Sequence, residues 1–213
     1  EAAKRDPLWS RGLGDVYKRQ YKNGVLIQAL TRGDGVQGDN ITSNIKTIKT
    51  IPLKLKGQYP NFFEIRGEII LPLEGFQKMN EERLAIGEPI FSNPRNTASG
   101  SLKMQDSRLV AKRPLMCFLY SIIGENIDIN TQFEALQKSK QWGFNVPDSA
   151  RLLNSIDDVF DYIKEWELKR KDLPYEIDGI VIKAVSYTHL RAHETREDRG
   201  FREAREKKKG GGG

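Results

Sequence analysis

Asp178 and Lys183 interrupt an otherwise apolar run, Ile177-Asp178-Gly179-Ile180-Val181-Ile182-Lys183. A charge buried without a partner is costly, so each of the two needs a counterpart, and a bound nucleotide with its metal would supply one. In an ideal strand these two positions point to opposite faces. A site shared by both therefore requires Gly179 to mark a bulge or the start of the strand.

Three other segments carry chemistry-bearing residues. Glu64-Ile65-Arg66-Gly67-Glu68 places two carboxylates and an arginine on one strand face. That grouping suits sugar hydroxyls, metal or phosphate, and equally an exposed face with cross-strand ion pairs. Asn93-Pro94-Arg95-Asn96-Thr97-Ala98-Ser99-Gly100-Ser101-Leu102-Lys103 mixes small residues with two cations. On a continuous helix Arg95 and Lys103 would lie on roughly one face two turns apart, able to hold separate anions. Thr31-Arg32-Gly33-Asp34-Gly35-Val36-Gln37-Gly38-Asp39-Asn40 has three glycines that let backbone approach a ligand closely. It reads alternatively as a turn ending in a helix N-cap at Asp39 or Asn40. No Walker A pattern is present.

The elements that must position these residues follow from periodicity. Tyr21-Lys22-Asn23-Gly24 predicts a tight hairpin turn feeding a strand from Val25 to Leu30. Phe63, Ile65, Ile69 and Leu71 alternate with Glu64, Arg66 and Glu68, which predicts a strand with one core face and one polar face. Met116 to Ile123, with Tyr120 inside it, and Tyr175 to Val185 predict two further strands. Helices are expected from Leu73 to Leu84 after Pro72, from Thr131 towards Gly143, and after Ser155, where Asp158 completes a capping-box-like start. In the last of these Ile156, Val159, Phe160, Ile163 and Trp166 fall at helical spacing, which makes Trp166 a core residue. Strands interspersed with helices, without regular βαβ repetition, predict an α+β fold of mixed, mostly antiparallel sheets.

Composition bounds the function. The chain has 213 residues, 38% hydrophobic and 30% charged, enough for one substantial core. It contains no apolar run of membrane-spanning length and no signal-peptide centre, so a cytoplasmic protein with no membrane partner is expected. The single cysteine, Cys117, excludes an internal disulfide and a four-thiolate zinc site. His189 and His193 are spaced i,i+4 but lack the glutamate of H-E-x-x-H and a third ligand, so no zinc is expected there. The net charge of +6 is carried mostly by the ends. Residues 1–20 hold five Lys/Arg against three acids, and residues 186–213 hold eight against five, leaving +1 between them. The stretch LWSRGLGDVYKRQ and the final glycine-ended tail resemble translated adaptor sequence. Residues 1–20 are therefore expected to be a non-native leader, 21–185 the domain, and 186–213 a non-native, disordered basic tail.

Taken in order, YKNGVL, TRGDGVQGDNIT, EIRGEI, FSNPRNTASGSLKMQD, KRPLMCFLYS, WGF and LPYEIDGIVIK resemble the adenylation domain of the bacterial NAD-dependent DNA ligases, within the covalent nucleotidyltransferase superfamily. These segments span about three quarters of the chain. The NPRN…GSL signature separates this family from ATP-dependent ligases and capping enzymes. The resemblance implies a fold like that of DNA ligases and mRNA capping enzymes, here truncated at both ends. It also implies a parent that seals nicks in duplex DNA, in replication and repair, through an AMP-lysine intermediate formed from NAD with Mg²⁺.

Residue by residue, the resemblance has Glu68 hold the AMP ribose, Tyr120 stack on adenine and Lys183 contact the adenylate, although Tyr120 reads equally as a core aromatic. Arg32, Arg95 and Arg170 match positions used around sugar and phosphate, and Asp178 would help place the Mg²⁺. Lys103 stands where many relatives carry arginine, keeping the charge for a phosphate or DNA contact but losing the bidentate fork. The departure lies upstream. Where the family spacing puts K-x-D-G, this sequence reads Arg11-Gly12-Leu13-Gly14. An arginine stays protonated and cannot act as the amine nucleophile, so no catalytic residue is assigned and an inactive, monomeric fragment with weak or no DNA binding is expected. The alternatives are a non-catalytic nucleotide-binding or structural module, and a fragment of an ATP-dependent ligase or capping-type nucleotidyltransferase.

Overall fold

The computed structural model describes residues 17–31, 38–124 and 127–183. Strands β1 (Tyr17–Lys22) and β2 (Val25–Leu30) form a hairpin. Its turn has positive φ at both Asn23 (50°) and Gly24 (72°), the conformation that an Asn-Gly pair supplies most cheaply. After the short helix α1 (Thr42–Ile45) comes β3 (Phe62–Ile70), which alternates as its sequence requires, with Phe63, Ile65 and Ile69 buried. Helices α2 (Leu73–Ala85), α3 (Pro94–Leu102) and α4 (Ser107–Ala111) lead to β4 (Met116–Ile123). The chain continues through α5 (Gln132–Gln141) and α6 (Ile156–Lys169) to a 3-10 turn at Arg170–Asp172. The four strands form one antiparallel sheet in the order β2-β1-β3-β4, so the fold is α+β as expected.

One face of this sheet carries the core. Ile41, Ile45, Ile48, Ile51 and Leu55, from α1 and the segment after it, pack over Tyr21, Phe63, Ile65, Cys117 and Leu119. Tyr21 stacks on Phe63 at 5.4 Å and meets Phe144 edge-on at 5.2 Å, while Trp142 leans on Phe63 at 5.1 Å. Buried Asn44 ties α1 to the end of α3 by donating to the carbonyls of Leu102 (2.8 Å) and Met104 (2.7 Å).

Capping accounts for the helix starts. Thr131 with Glu134, and Ser155 with Asp158, form complete capping boxes on α5 and α6. The N-cap expected at Asp39 or Asn40 falls instead on Ile41, which has no side-chain cap, while Asn40 Oδ1 accepts from Thr42 N at 3.1 Å one residue outside the helix.

Two further expectations are overturned. Over the described residues 175–183 there is no strand, and Val181 and Ile182 are exposed. The outer edge of β4 is already occupied, since Leu119 N donates to Asn145 O (3.0 Å) and Cys117 N donates to Thr50 Oγ1 (2.9 Å). A β-prone run with no edge to pair on stays irregular. Helix α6 is present, but it buries no residue fully. Ile156 and Phe160 are more than half exposed, and Trp166 is half-buried against Tyr162 rather than in the core.

β1 begins at Tyr17, so the last residues of segment 1–20 lie inside the sheet. Arg19 there is 0% exposed, on the same face as Tyr21, and its charge reaches Tyr21, Cys117 and Tyr120. Taking a guanidinium out of water costs more than burying an apolar side chain of similar size.

Candidate nucleotide site

Opposite the core, β3 presents Glu64, Arg66 and Glu68, all half-buried. Arg66 Nε donates to Glu64 Oε1 at 2.9 Å, an ion pair within one strand rather than across strands. Between them Gly67 faces the core layer. A Cβ there would come within 2.2 Å of Phe118 O and 2.9 Å of Leu119 Cα, so this glycine serves the close approach of β3 to β4.

At that point the pairing slips. Arg66 opposes Ser121 and Gly67 opposes Leu119, leaving Tyr120 as the extra residue of a β-bulge. The buried positions of β4 accordingly change phase, from Cys117 and Leu119 to Ile122. Alternation from Leu119 already puts Tyr120 on the polar face, and the bulge lets Ser121 follow it before burial resumes at Ile122. The Tyr120 carbonyl accepts from Gln132 Nε2, in the first turn of α5, which fixes the bulge from outside the sheet.

The irregular segment 175–183 runs over this same face. Tyr175 packs on Phe118 with ring centroids 5.1 Å apart. Arg170 Nη2 donates to Ile177 O at 3.3 Å, and Arg95 Nη1 donates to Asp178 Oδ2 at 2.8 Å. Lys183 Nζ sits 5.1 Å from the Tyr120 ring centroid, a cation over an aromatic face. Arg95 reaches Asp178 because α3 starts where it does: Asn93 Oδ1 accepts from Asn96 N at 2.7 Å and Pro94 opens the first turn.

The structure thus gathers Glu68, Arg95, Tyr120, Arg170, Asp178 and Lys183 around one sheet face. Lys103 is the C-cap residue of α3, at the opposite end of that helix from Arg95. Among the described residues it makes no ion pair. Arg32 and the glycines Gly33 and Gly35 lie outside the described residues, as do Arg11 to Gly14, His189 and His193. Gly38 is described, and its close approach is to protein: a Cβ would lie 2.1 Å from Thr31 O.

Burial, and then the neighbouring Glu68 carboxylate, push the Tyr120 phenol up to about 12, so at neutral pH it is a neutral donor beneath Lys183. Among the described residues no group of three His, Cys, Asp or Glu converges on a metal position. Asp178 offers one carboxylate, already held by Arg95. A Mg²⁺ ion here fits only if phosphate oxygens complete its shell, as Mg²⁺ sites on nucleotides commonly arrange.

The family described as the NAD-dependent DNA ligase adenylation domain matches residues 14–194. The chain belongs to that family. It is 63% identical over 166 residues to the DNA ligase of Flavobacterium johnsoniae, covering 78% of this chain and 25% of that protein. The DNA ligases of Christiangramia forsetii and Flavobacterium psychrophilum are each 58% identical, over 167 and 170 residues, covering 78% and 80% of this chain. The chain spans about a quarter of the length of these relatives.

In this adenylation-domain chain, sequence reasoning missed the residues that aim the site rather than line it. Gln132 holds the Tyr120 carbonyl, and the Phe118–Tyr175 contact seats the segment bearing Asp178 and Lys183. A glutamine just inside a capping box carries no signal of such a role. Phe118 in an all-apolar strand carries none either.

Proposed function

We propose that the chain is part of an NAD-dependent DNA ligase, an enzyme that seals nicks in duplex DNA during replication and repair through an AMP-lysine intermediate. The observation that supports this reading is the convergence of Glu68, Tyr120 and Lys183 on one sheet face, with Asp178 tied to Arg95 beside them. In this reading Glu68 accepts hydrogen bonds from the ribose of AMP and Tyr120 stacks on adenine. Lys183, Arg95 and Arg170 neutralise phosphate charge, and Arg32 completes the sugar and phosphate contacts. Lys103 is left to a phosphate or DNA contact, and Asp178 to a Mg²⁺ that arrives with the nucleotide. Nicked duplex DNA is the partner of the parent, a cytoplasmic protein; the fragment is a monomer.

The fragment itself is inactive in this reading, because Arg11 stands near the position where the family spacing puts the nucleophilic lysine. Residues 1–20 and 186–213 are leader and tail foreign to the domain. A fully buried arginine at position 19 is in keeping with foreign sequence pressed into a strand, although the family match reaches into both ends.

Incubation with NAD and Mg²⁺ is expected to leave the intact mass unchanged, and a gain of one adenylate would overturn the assignment of inactivity. Calorimetric titration with AMP is expected to show binding that Tyr120→Ala weakens about tenfold, the loss of one aromatic platform. Equal affinity in wild type and variant would overturn the site.

A further inference from the structure

Beside the outer edge of β4, where Thr50 and Asn145 bond the Cys117 backbone, lies a cleft of about 450 Å³. The exposed Lys49, Lys54 and Lys56 line its rim together with Thr50, Asn145 and the buried Trp142. No acid lines it. From Asn40 to Phe63 the sequence contains Lys46, Lys49, Lys54 and Lys56 and no Asp or Glu, so the near-neutral average of residues 21–185 hides a local surplus of positive charge.

The fold sets these lysines in place. Leu55 is buried and pinned by its N–H to Gly24 O at 2.8 Å, so Lys54 and Lys56 on either side both point outward. Lys56 N donates to Trp142 O at 3.3 Å, and Trp142 Nε1 donates to Gln58 O at 2.6 Å, which joins the two walls. Thr50 Oγ1 accepts from Cys117 N at 2.9 Å and keeps its own O–H as a donor. None of the three rim lysines forms an ion pair among the described residues, unlike Lys140, Lys164 and Lys169.

We propose that this cleft is a second, nucleotide-independent anion site that takes the phosphodiester backbone of duplex DNA. The rim lysines are exposed ammonium groups spread over the eight residues from Lys49 to Lys56. They offer point charges in series, which suits successive phosphates of a polymer, and they lack the convergent buried donors that would enclose one small anion. The Thr50 hydroxyl beside them suits a phosphate oxygen without reading sequence. The choice of duplex DNA rests on the ligase reading; the charge argument does not.

The test is fluorescence anisotropy of a labelled nicked duplex with the full chain at low ionic strength, repeated across a salt series. Three phosphate contacts predict a slope of log affinity against log salt of about −2.7. The triple variant Lys49→Gln/Lys54→Gln/Lys56→Gln is expected to lose at least about tenfold in affinity and most of that slope. A control carrying Lys78→Gln and Lys171→Gln, both exposed elsewhere, should keep both. The proposal fails if the wild-type chain binds no DNA or if the triple variant matches it. It also fails if the control loses as much, or if inorganic phosphate displaces the duplex more than sodium chloride of equal ionic strength does. AMP titration of the triple variant separates the two readings. Unchanged AMP binding is expected, and its absence from both proteins would remove the nucleotide site while leaving the DNA result standing.

Discussion

Replacing Trp142 by alanine is expected to cost about 3–5 kcal/mol of folding stability. The indole is 3% exposed, leans on Phe63 at 5.1 Å, and donates from Nε1 to Gln58 O at 2.6 Å. Alanine leaves a cavity beside the aromatic cluster, the main penalty, and removes the donor to the carbonyl of Gln58, an exposed residue that water can serve instead. A domain of ordinary stability has about 5–15 kcal/mol in total, so the variant should be largely unfolded in moderate urea. Urea unfolding checks this, with Leu84→Ala as control. Leu84 is 64% exposed, and its loss should stay within about 0.5 kcal/mol. Equal midpoints for the two variants would mean that Trp142 does not hold the core together.

Alkali is expected to unfold the chain well before it attacks covalent bonds. Burial pushes the Cys117 thiol from 9.0 up to about 11, and burial with Glu68 alongside pushes the Tyr120 phenol from 10.0 up to about 12. Burial raises the Tyr21 phenol as well. All three groups are neutral when protonated and hold their protons more tightly in the folded state. Between about pH 9 and 12 the unfolded chain therefore carries fewer protons, and stability falls as pH rises. It is fully present below pH 9. Each tenfold gain in proton affinity on folding corresponds to about 1.4 kcal/mol, so Cys117 alone withdraws roughly 2–3 kcal/mol by pH 11. Urea midpoints measured from pH 7 to 11 should be level to about 8.5 and then decline. Cys117→Ala should shift the onset upward. A flat profile would contradict the burial of these groups.

Much of the fold was legible because its signals are local. Asn23-Gly24 dictates its turn, Thr131 and Ser155 announce helix starts with their own side chains, and β3 alternates because one face is buried and the other is not. The candidate site was read from the family resemblance of its motifs; of its residues, the structure sets Lys183 over Tyr120 and Arg95 against Asp178. What escaped depends on partners distant in sequence. Ile180 to Ile182 has strand-like composition, but pairing needs a free edge, and Asn145 and Thr50 occupy that of β4. The α6 pattern identifies an apolar stripe and says nothing about whether another element covers it. The bulge at Tyr120 sits in an all-apolar strand, where a one-residue slip leaves no trace in the hydropathy. Gly38 looked like a ligand-facing glycine, yet the backbone it approaches is Thr31.

That contact closes a neck. Thr31 N donates to Asp39 O at 3.0 Å, Asp39 N donates to Thr31 Oγ1 at 2.8 Å, and Leu30 bridges Asn40 just beneath. These bonds pin Thr31, just past the end of β2, to the chain at Asp39 and Asn40. β2 is thus fastened at both ends, by the Asn23-Gly24 turn that sets its register with β1 and by the Thr31–Asp39 clasp beyond Leu30.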